Sequence, residues 1–480
     1  MQGMNDKTKS LAQEEFGHAK LGDARRTARA ALVFEGALRQ PAGTIEAVFD
    51  NLAELHGAYD FVENEHINPD DLFDAVANAT ARRAKKLSFV WIPTDGTSAT
   101  ITDRTRSKET GRVGSSRSNA RGDIIHLAYA LDPDGVPLGP VSLEAWQRGP
   151  KSTRPERDKR KTEEKETQAW LNARENGRAL WLVLCPGVVR HYLHDRGADA
   201  WPVVADMALP QEGEYTTIRA AWDRRLWDPE PSDDAQTRYL RDALAETTLE
   251  GECELDVPAS RTRTARCATM QLRACAVTLS LRDKWNNKRT PAEVFVVCAR
   301  EVSAVPAGED PLEWMLLTSY PIHTLEDAKF VLGGYAWRWR IEQLFAAWKT
   351  AGTDIEASQL GAADHRARWR IILLATASTL LRWQILATTR PDTPAEQEFS
   401  AEVLEAVRDV QKDEVVPAQG ATVWQVAVAL GYLGGWPGSN TRPPGIKVLC
   451  RGWRRVMDYL VGKRRVAARN AQNLLPGAPA

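Results

Sequence analysis

The residues best placed to do chemistry stand on the stretch Tyr335 to Lys349, read YAWRWRIEQLFAAWK. At 100° per residue, the offsets from Tyr335 to Arg338, Glu342 and Lys349 put a phenol, a guanidinium, a carboxylate and an ammonium within roughly a 60° arc of one helical face. Trp337, Ile341, Leu344, Phe345 and Trp348 form an apolar stripe about 100° away, so the helix is expected to bury that side and present the polar four. A carboxylate beside fixed cations suits phosphoryl chemistry, in which negative charge gathers on phosphate oxygens. The Arg338 to Glu342 spacing also fits an ordinary i,i+4 ion pair, worth about a few tenths of a kcal/mol.

Two further carboxylates follow apolar runs. Ser88 to Asp95 (SFVWIPTD) reads as a short strand ending in an acid, with Gly96 to Asp103 alternating as a second strand. An acid at the end of a buried strand is costly unless it is solvated or paired with a cation. Asp95 is therefore a candidate metal ligand; a turn aspartate closing the strand is the plainer alternative. Pro93 fits poorly in a central strand. Val188 to His194 is another strand, leading into Asp195-Arg196-Gly197-Ala198-Asp199 and a helix from about Ala200 to Leu209. Hard carboxylate oxygens suit Mg²⁺. Two such ions can activate an attacking water or 3′-hydroxyl and stabilise the leaving oxygen, which explains a site built from acids rather than His or Cys.

The spacing Tyr335, Arg338, Glu342, Lys349 resembles the Y-R-E-K signature of cut-and-paste DDE transposases of the insertion sequence four family, which includes the transposon five transposase. LGDARRTAR at Leu21 to Arg29 and GAYDFVEN at Gly57 to Asn64 are similar to that family's amino-terminal end-binding domain. The resemblance implies that Arg25, Arg26 and Arg29 contact transposon-end DNA, while Tyr59, Phe61 and Asn64 pack or position the helices. By spacing alone the arginines are equally a solvated face. The order strand, Asp195, Arg196, two residues, Asp199, helix resembles the second catalytic motif. Asp206 is a rival, set aside because it would leave no helix before the strand that begins at Tyr215. Asp199 is expected to orient Arg196 or cap the helix. Arg219 in YTTIRAAWDRR matches an arginine that approaches DNA. Trp314 in PLEWMLLTS matches the tryptophan on which the family stacks a flipped base, although a core tryptophan at a strand start fits the local text as well. Gly96 departs from the family, which has threonine or a similar residue there.

These matches imply an α/β fold: a ribonuclease-H-like catalytic core, a mixed sheet flanked by helices, over residues 73–365. A β-rich insertion over 226–318, a helical DNA-end-binding domain over 1–72 and a helical dimerisation region over 366–480 complete the expected organisation. The length of 480 residues agrees with several structural units. Pro133-Asp134-Gly135 marks a hairpin turn. Arginines and lysines at 104, 106, 108, 112, 117 and 121 suit a loop that orders on phosphate, and Lys151 to Lys165 is a basic connection. In the insertion, Arg261, Arg263, Arg266, Arg273, Arg282, Lys284, Lys288 and Arg289 could track DNA. A net charge of −1 does not advertise nucleic-acid binding, but affinity depends on the cations that face phosphate and not on the whole-chain sum. Six cysteines without C-x-x-C spacing argue against a zinc site or a disulfide framework. The start MQGMNDKTKS carries no apolar h-region, and the apolar run Ile371 to Leu381 is short for a bilayer, so a cytoplasmic bacterial protein, nucleoid-associated when bound, is expected.

The reaction implied by the resemblance uses Asp95, Asp195 and Glu342 as catalytic ligands for two Mg²⁺ or Mn²⁺, with no nucleotide cofactor. Water nicks the transposon end, the freed 3′-hydroxyl makes a hairpin, water reopens it, and the 3′-hydroxyl joins target DNA. The partners are double-stranded inverted ends, target DNA and a second copy in a DNA-bound homodimer. Tyr335, Arg338 and Lys349 would grip phosphates near the hairpin. The alternatives are a ribonuclease-H-like endonuclease without strand transfer and an inactive DNA-binding regulator.

Overall fold

The computed structural model describes residues 7–114, 119–149, 165–209, 211–230, 237–257, 259, 263–283, 287–411, 414–438 and 443–473. Five helices open the chain: α1 (Lys7–Phe16), α2 (Ala24–Arg39), α3 (Ile45–Val48), α4 (Leu52–Val62) and α5 (Pro69–Ala84). Local chemistry sets their starts. Asp23, Thr44, Asn51 and Asn68 each accept a backbone N–H of the first turn, and Pro69 occupies a position whose N–H would be unsatisfied anyway.

A ten-stranded mixed sheet follows: β1 (Phe89–Thr100), β2 (Gly111–Arg112), β3 (Arg121–Leu131), β4 (Pro137–Trp146), β5 (Val189–His194), β6 (Glu214–Arg219), β7 (Glu250–Val257), β8 (Arg266–Arg282), β9 (Arg289–Glu301) and β10 (Glu313–Thr318). Its order is β2-β3-β1-β5-β6-β10-β9-β8-β7, with β4 also paired to β3. Only β1–β5 and β5–β6 are parallel. The β3–β4 hairpin turns at the expected place: Gly135 takes φ +78, and Asp132 accepts the backbone N–H groups of Asp134 and Val136. Within the β-rich insertion expected over 226–318 lie long strands, 17 residues in β8 and 13 in β9, and they extend the same sheet.

Between the strands lie α6 (Gln168–Leu184), α7 (Trp201–Met207) and α8 (Leu240–Glu246). After them come α9 (Leu325–Ala336), α10 (Arg340–Ala346), α11 (Ala363–Thr389), α12 (Ala401–Val410), α13 (Val423–Leu433) and α14 (Ile446–Asn473). α11 is the central pillar. Arg368 on it donates to the carbonyls of Val62 and Ile67, and Trp369 to that of Gly43, which fastens the amino-terminal helices to it. One continuous apolar cluster joins residues of α2, α4 and α5, the β1–β3 face, α10, α11 and α12 to α14. The boundaries expected at 72 and 365 therefore cut through α5 and α11 and do not separate independent cores. By length and composition α11 could cross a bilayer, unlike the shorter run read from the sequence, but 78% of its most apolar window is buried within the protein.

Candidate active site

The sheet aligns two acids and an arginine. Thr94 of β1 is in register with His194 of β5, and His194 with Ile218 of β6, so the next residues on the three parallel strands are Asp95, Asp195 and Arg219. Neighbouring strands lie about 4.8 Å apart and in-register side chains share a face, which puts these three in a row. Asp95 does not end its strand as expected. β1 runs on to Thr100 as one strand, with Asp95 opposite Leu127 of β3, while β5 stops beside it at His194. The β1–β3 register passes from Trp91–Leu131 to Thr94–Ala128, leaving out the two pairs that would contain Ile92 and Pro93, the latter with no N–H to give. Asp195 accepts from the N–H of Gly197, 2.7 Å away, and starts a short 3₁₀ turn.

The stretch from Tyr335 is not one regular α-helix. α9 ends at Ala336, Trp337–Trp339 tighten into a 3₁₀ turn, α10 follows, and Ala347–Ala351 widen into a π turn. Such changes of pitch are frequent at functional sites. The polar residues still converge. Arg338 donates to Asp95 at 3.1 Å and also binds Glu342, so one guanidinium bridges acids from β1 and α10. Lys349, in the π turn, reaches Thr97 on the Asp95 face of β1 at 3.4 Å and pairs with Glu356 at 3.4 Å. Tyr335 is buried, with its ring 5.4 Å from that of Trp314 on β10 and nearly perpendicular to it. The Arg219 guanidinium lies over the Trp314 ring, 5.9 Å from its centroid.

Burial, and then the neighbouring Asp195 charge, push the Asp95 carboxyl up to about 6, against the pull of Arg338. Burial pushes the Tyr335 phenol up to about 12. Burial opposes the Arg338 charge, but Tyr335, Glu342 and Asp95 outweigh it and raise its pKa. The donor set, three hard carboxylates from β1, β5 and α10, suits Mg²⁺ or Mn²⁺. Among the described residues no three acids, His or Cys already stand as a cation site. Arg338 occupies the space between two of the three acids.

Other expected residues fall as follows. Asp206 binds Arg174 at 2.5 Å, within an ion network that includes Glu214. Asp199 does not hold Arg196 or cap α7, whose N-cap is Ala200. It accepts from Ala221 and Trp222 N–H groups and from Arg224. Arg25 is highly exposed and paired with Asp23, Arg26 donates to the Leu21 carbonyl, and Arg29 lies against Gly57. Phe61 is buried, and the Tyr59 hydroxyl donates to Glu46. At Gly96 an added Cβ would meet only ordinary contacts, the nearest with His126 at 3.6 Å, so space does not require glycine. Arg117, residues 151–164, Arg261 and Lys284 lie outside the described residues.

Several site-supporting residues were not read from the sequence. Asp123 on β3 is buried and held by Gln147, Arg366 and Arg370, which ties the sheet to α11. His126 and His194 are buried, and each ring meets that of Trp170 edge to face. In the sequence these are lone polar residues inside apolar runs, with no spacing signal.

Residues 8–67 match the family model described as Transposase DNA-binding, the segment that carries LGDARRTAR and GAYDFVEN. A cryo-EM structure of a piggyBac transposase synaptic complex with hairpin DNA is similar over 98% of this chain and 86% of that one, at 9% identity and a TM-score of 0.38.

Proposed function

We propose that this chain is a DNA transposase of the cut-and-paste type, with Asp95, Asp195 and Glu342 as its catalytic acids in a ribonuclease-H-like core. The single observation that carries the reading is the register that sets Asp95 beside Asp195, with Glu342 joined to Asp95 through Arg338. Three antiparallel strands, β4, β3 and β1, with β5 and β6 added in parallel beside β1, support the core assignment. The amino-terminal match supports DNA as the partner.

Mg²⁺ or Mn²⁺ on the three acids would polarise phosphoryl oxygens and make a bound water more acidic. The chain's own residues do the rest. Arg338 and Lys349 neutralise the charge that builds on phosphate. Tyr335 positions Trp314, whose ring takes the base turned out at a hairpin end. Action on inverted ends as a homodimer, in the bacterial cytoplasm, completes the proposal.

One observation favours a silent DNA-binding regulator instead: Arg338 stands between Asp95 and Glu342 and pairs with both. A single assay separates the readings, in which the protein meets Mg²⁺ and DNA carrying the inverted repeats that flank its own gene. Hairpins and joined products are expected. Nicks alone would mean a nuclease, and binding without cleavage a regulator. Glu342→Ala is expected to keep end binding and lose nicking by at least about a hundredfold. Persistent nicking would remove Glu342 from the site. Trp314→Ala is expected to slow hairpin formation more than the first nick.

A further inference from the structure

Of the tryptophans among the described residues, only Trp222 and Trp339 are exposed, and both stand beside the acid row. Trp339 follows Arg338, which pairs with Asp95 and Glu342. Trp222, 67% exposed, comes three residues after Arg219, the last residue of β6. In open α/β sheets, ligands bind beyond the carboxyl ends of the parallel strands, where this turn lies. A single exposed apolar side chain is ordinary on a protein surface. The backbone of Trp222 is what sets it apart. Asp199, buried and four residues beyond Asp195, accepts the Ala221 N–H at 2.6 Å, the Trp222 N–H at 3.2 Å and Nε of Arg224 at 2.7 Å. From α8, the Arg241 N–H donates to the Asp223 carboxylate at 3.1 Å and the Leu240 N–H to the Arg224 carbonyl at 3.0 Å. The β6–β10 ladder pairs Arg219 with Leu316, and the Ala220 N–H continues it to the Met315 carbonyl at 2.8 Å. One further step of that register sets Ala221 opposite Trp314. The turn is thus fixed from three sides, alongside Trp314, with the Trp222 indole in water.

An indole left in water forgoes the stabilisation that burying it in a core would bring. On a fixed backbone it also gives up little freedom when a flat partner meets it, so less of the contact energy is lost to ordering. Every nucleobase presents such a flat face, and aromatic rings beside a backbone track hold unpaired DNA by stacking whatever the sequence. We propose that Trp222 stacks on a base of the DNA strand lying along the acid row, next to the base taken by Trp314. The contact rests on the reading of the acids as a DNA-cleaving centre. It deepens that reading, because one stacked base leaves a strand free to swivel, whereas two neighbouring ones fix the direction in which its phosphates pass the acids.

The test uses the full chain without divalent metal and two fluorescent probes of equal length, a short oligothymidine and an abasic strand with the same phosphates, read by anisotropy. Trp222→Ala is expected to bind the oligothymidine about tenfold more weakly and the abasic strand as the parent does. Its salt dependence should not change, since stacking releases no counterions. Trp222→Phe should recover most of the loss, and Tyr432→Ala, which removes another exposed aromatic ring, on α13, should cause none. The melting temperature of the DNA-free Trp222→Ala protein should stay level, because the ring it loses is exposed. Unchanged affinity for the oligothymidine overturns the contact. Equal losses on both probes, or a loss that Phe does not restore, also overturn it, because Trp222 would then support the fold or the phosphate contacts. If Trp222→Ala instead splits a dimer in sedimentation and leaves both affinities alone, the ring meets a second copy of the chain and the assignment to DNA fails. Cleavage of end DNA is scored separately. A parent that cuts, with a variant that binds both probes normally, sinks the stacking contact alone. A base-dependent loss in a protein that never cuts DNA leaves the contact standing and sinks the transposase reading.

Discussion

Arg338 answers two negative charges that would otherwise repel. With Asp95 and Asp195 in register on parallel strands and Glu342 nearby, the metal-free site needs a counter-charge, and the guanidinium supplies it from within the motif. The i,i+4 pair read from the sequence is present, but its second arm on Asp95 changes its meaning: the same fork that would hold a phosphate first holds the acids. Entry of a divalent ion must compete with it. Hydrogen bonds to charged groups contribute roughly 1.5–3 kcal/mol each, so removing the arginine should tighten Mn²⁺ binding to the DNA-free protein by at least about tenfold. Arg338→Gln, titrated with Mn²⁺ and followed by electron paramagnetic resonance of the free ion, checks this. Binding that is unchanged or weaker would mean that Arg338 does not hold the cation's place.

At the scale of elements, the sequence made some features legible and hid others for physical reasons. Asp195 was readable because a β-branched and aromatic run ends there and a Gly-containing turn follows; Asp195 does sit at the end of β5. Asp95 was read as a strand end because the apolar run from Ser88 stops at its carboxylate, with Gly96 opening a second strand, yet β1 runs through both as one strand. Its partner β3 tolerates the missing N–H by leaving Ile92 and Pro93 unpaired, a tertiary event that no local pattern carries. The convergence of Tyr335, Arg338, Glu342 and Lys349 survived although ideal α-helical geometry did not, since a tight turn and a wide turn in succession offset each other in phase. The histidines were invisible. His126 and His191 are buried and held neutral, each lowered to about 3 by burial, and His194 is lowered as well. A depressed folded pKa means that the unfolded chain binds the proton more readily, so stability present above the ordinary value of 6.5 drains away as pH falls toward 3. Each such group contributes about 1.4 kcal/mol per pH unit within that window. His126→Phe keeps a ring against Trp170 and should remove about one proton's worth of this slope. Denaturant midpoints at stepped pH values measure it, and a slope equal to that of the parent would contradict the burial argument.

At the scale of the whole molecule, the amino-terminal helices, the β1–β3 part of the sheet and the carboxy-terminal helices share one apolar core. Trp453 shows how the ends are joined. It lies on α14, is 2% exposed, packs 4.8 Å from Trp383 of α11, and donates its indole N–H to the Leu38 carbonyl of α2 at 2.7 Å. The neighbouring Arg454 donates to the Pro41 carbonyl. A segment that fastens the first helices to the last in this way cannot loosen alone, because opening it would expose the α2 and α11 surfaces together. Trp453→Ala should therefore cost about 3–5 kcal/mol, the usual range for emptying a buried aromatic site. The loss should appear as one cooperative transition shifted down in temperature, with the amino-terminal helices melting alongside α14. Calorimetry combined with hydrogen exchange at α2 and α14 distinguishes this from domains that unfold separately. Two resolved transitions, with α2 protection untouched by the substitution, would show that the shared core does not couple the amino-terminal helices to the rest of the chain.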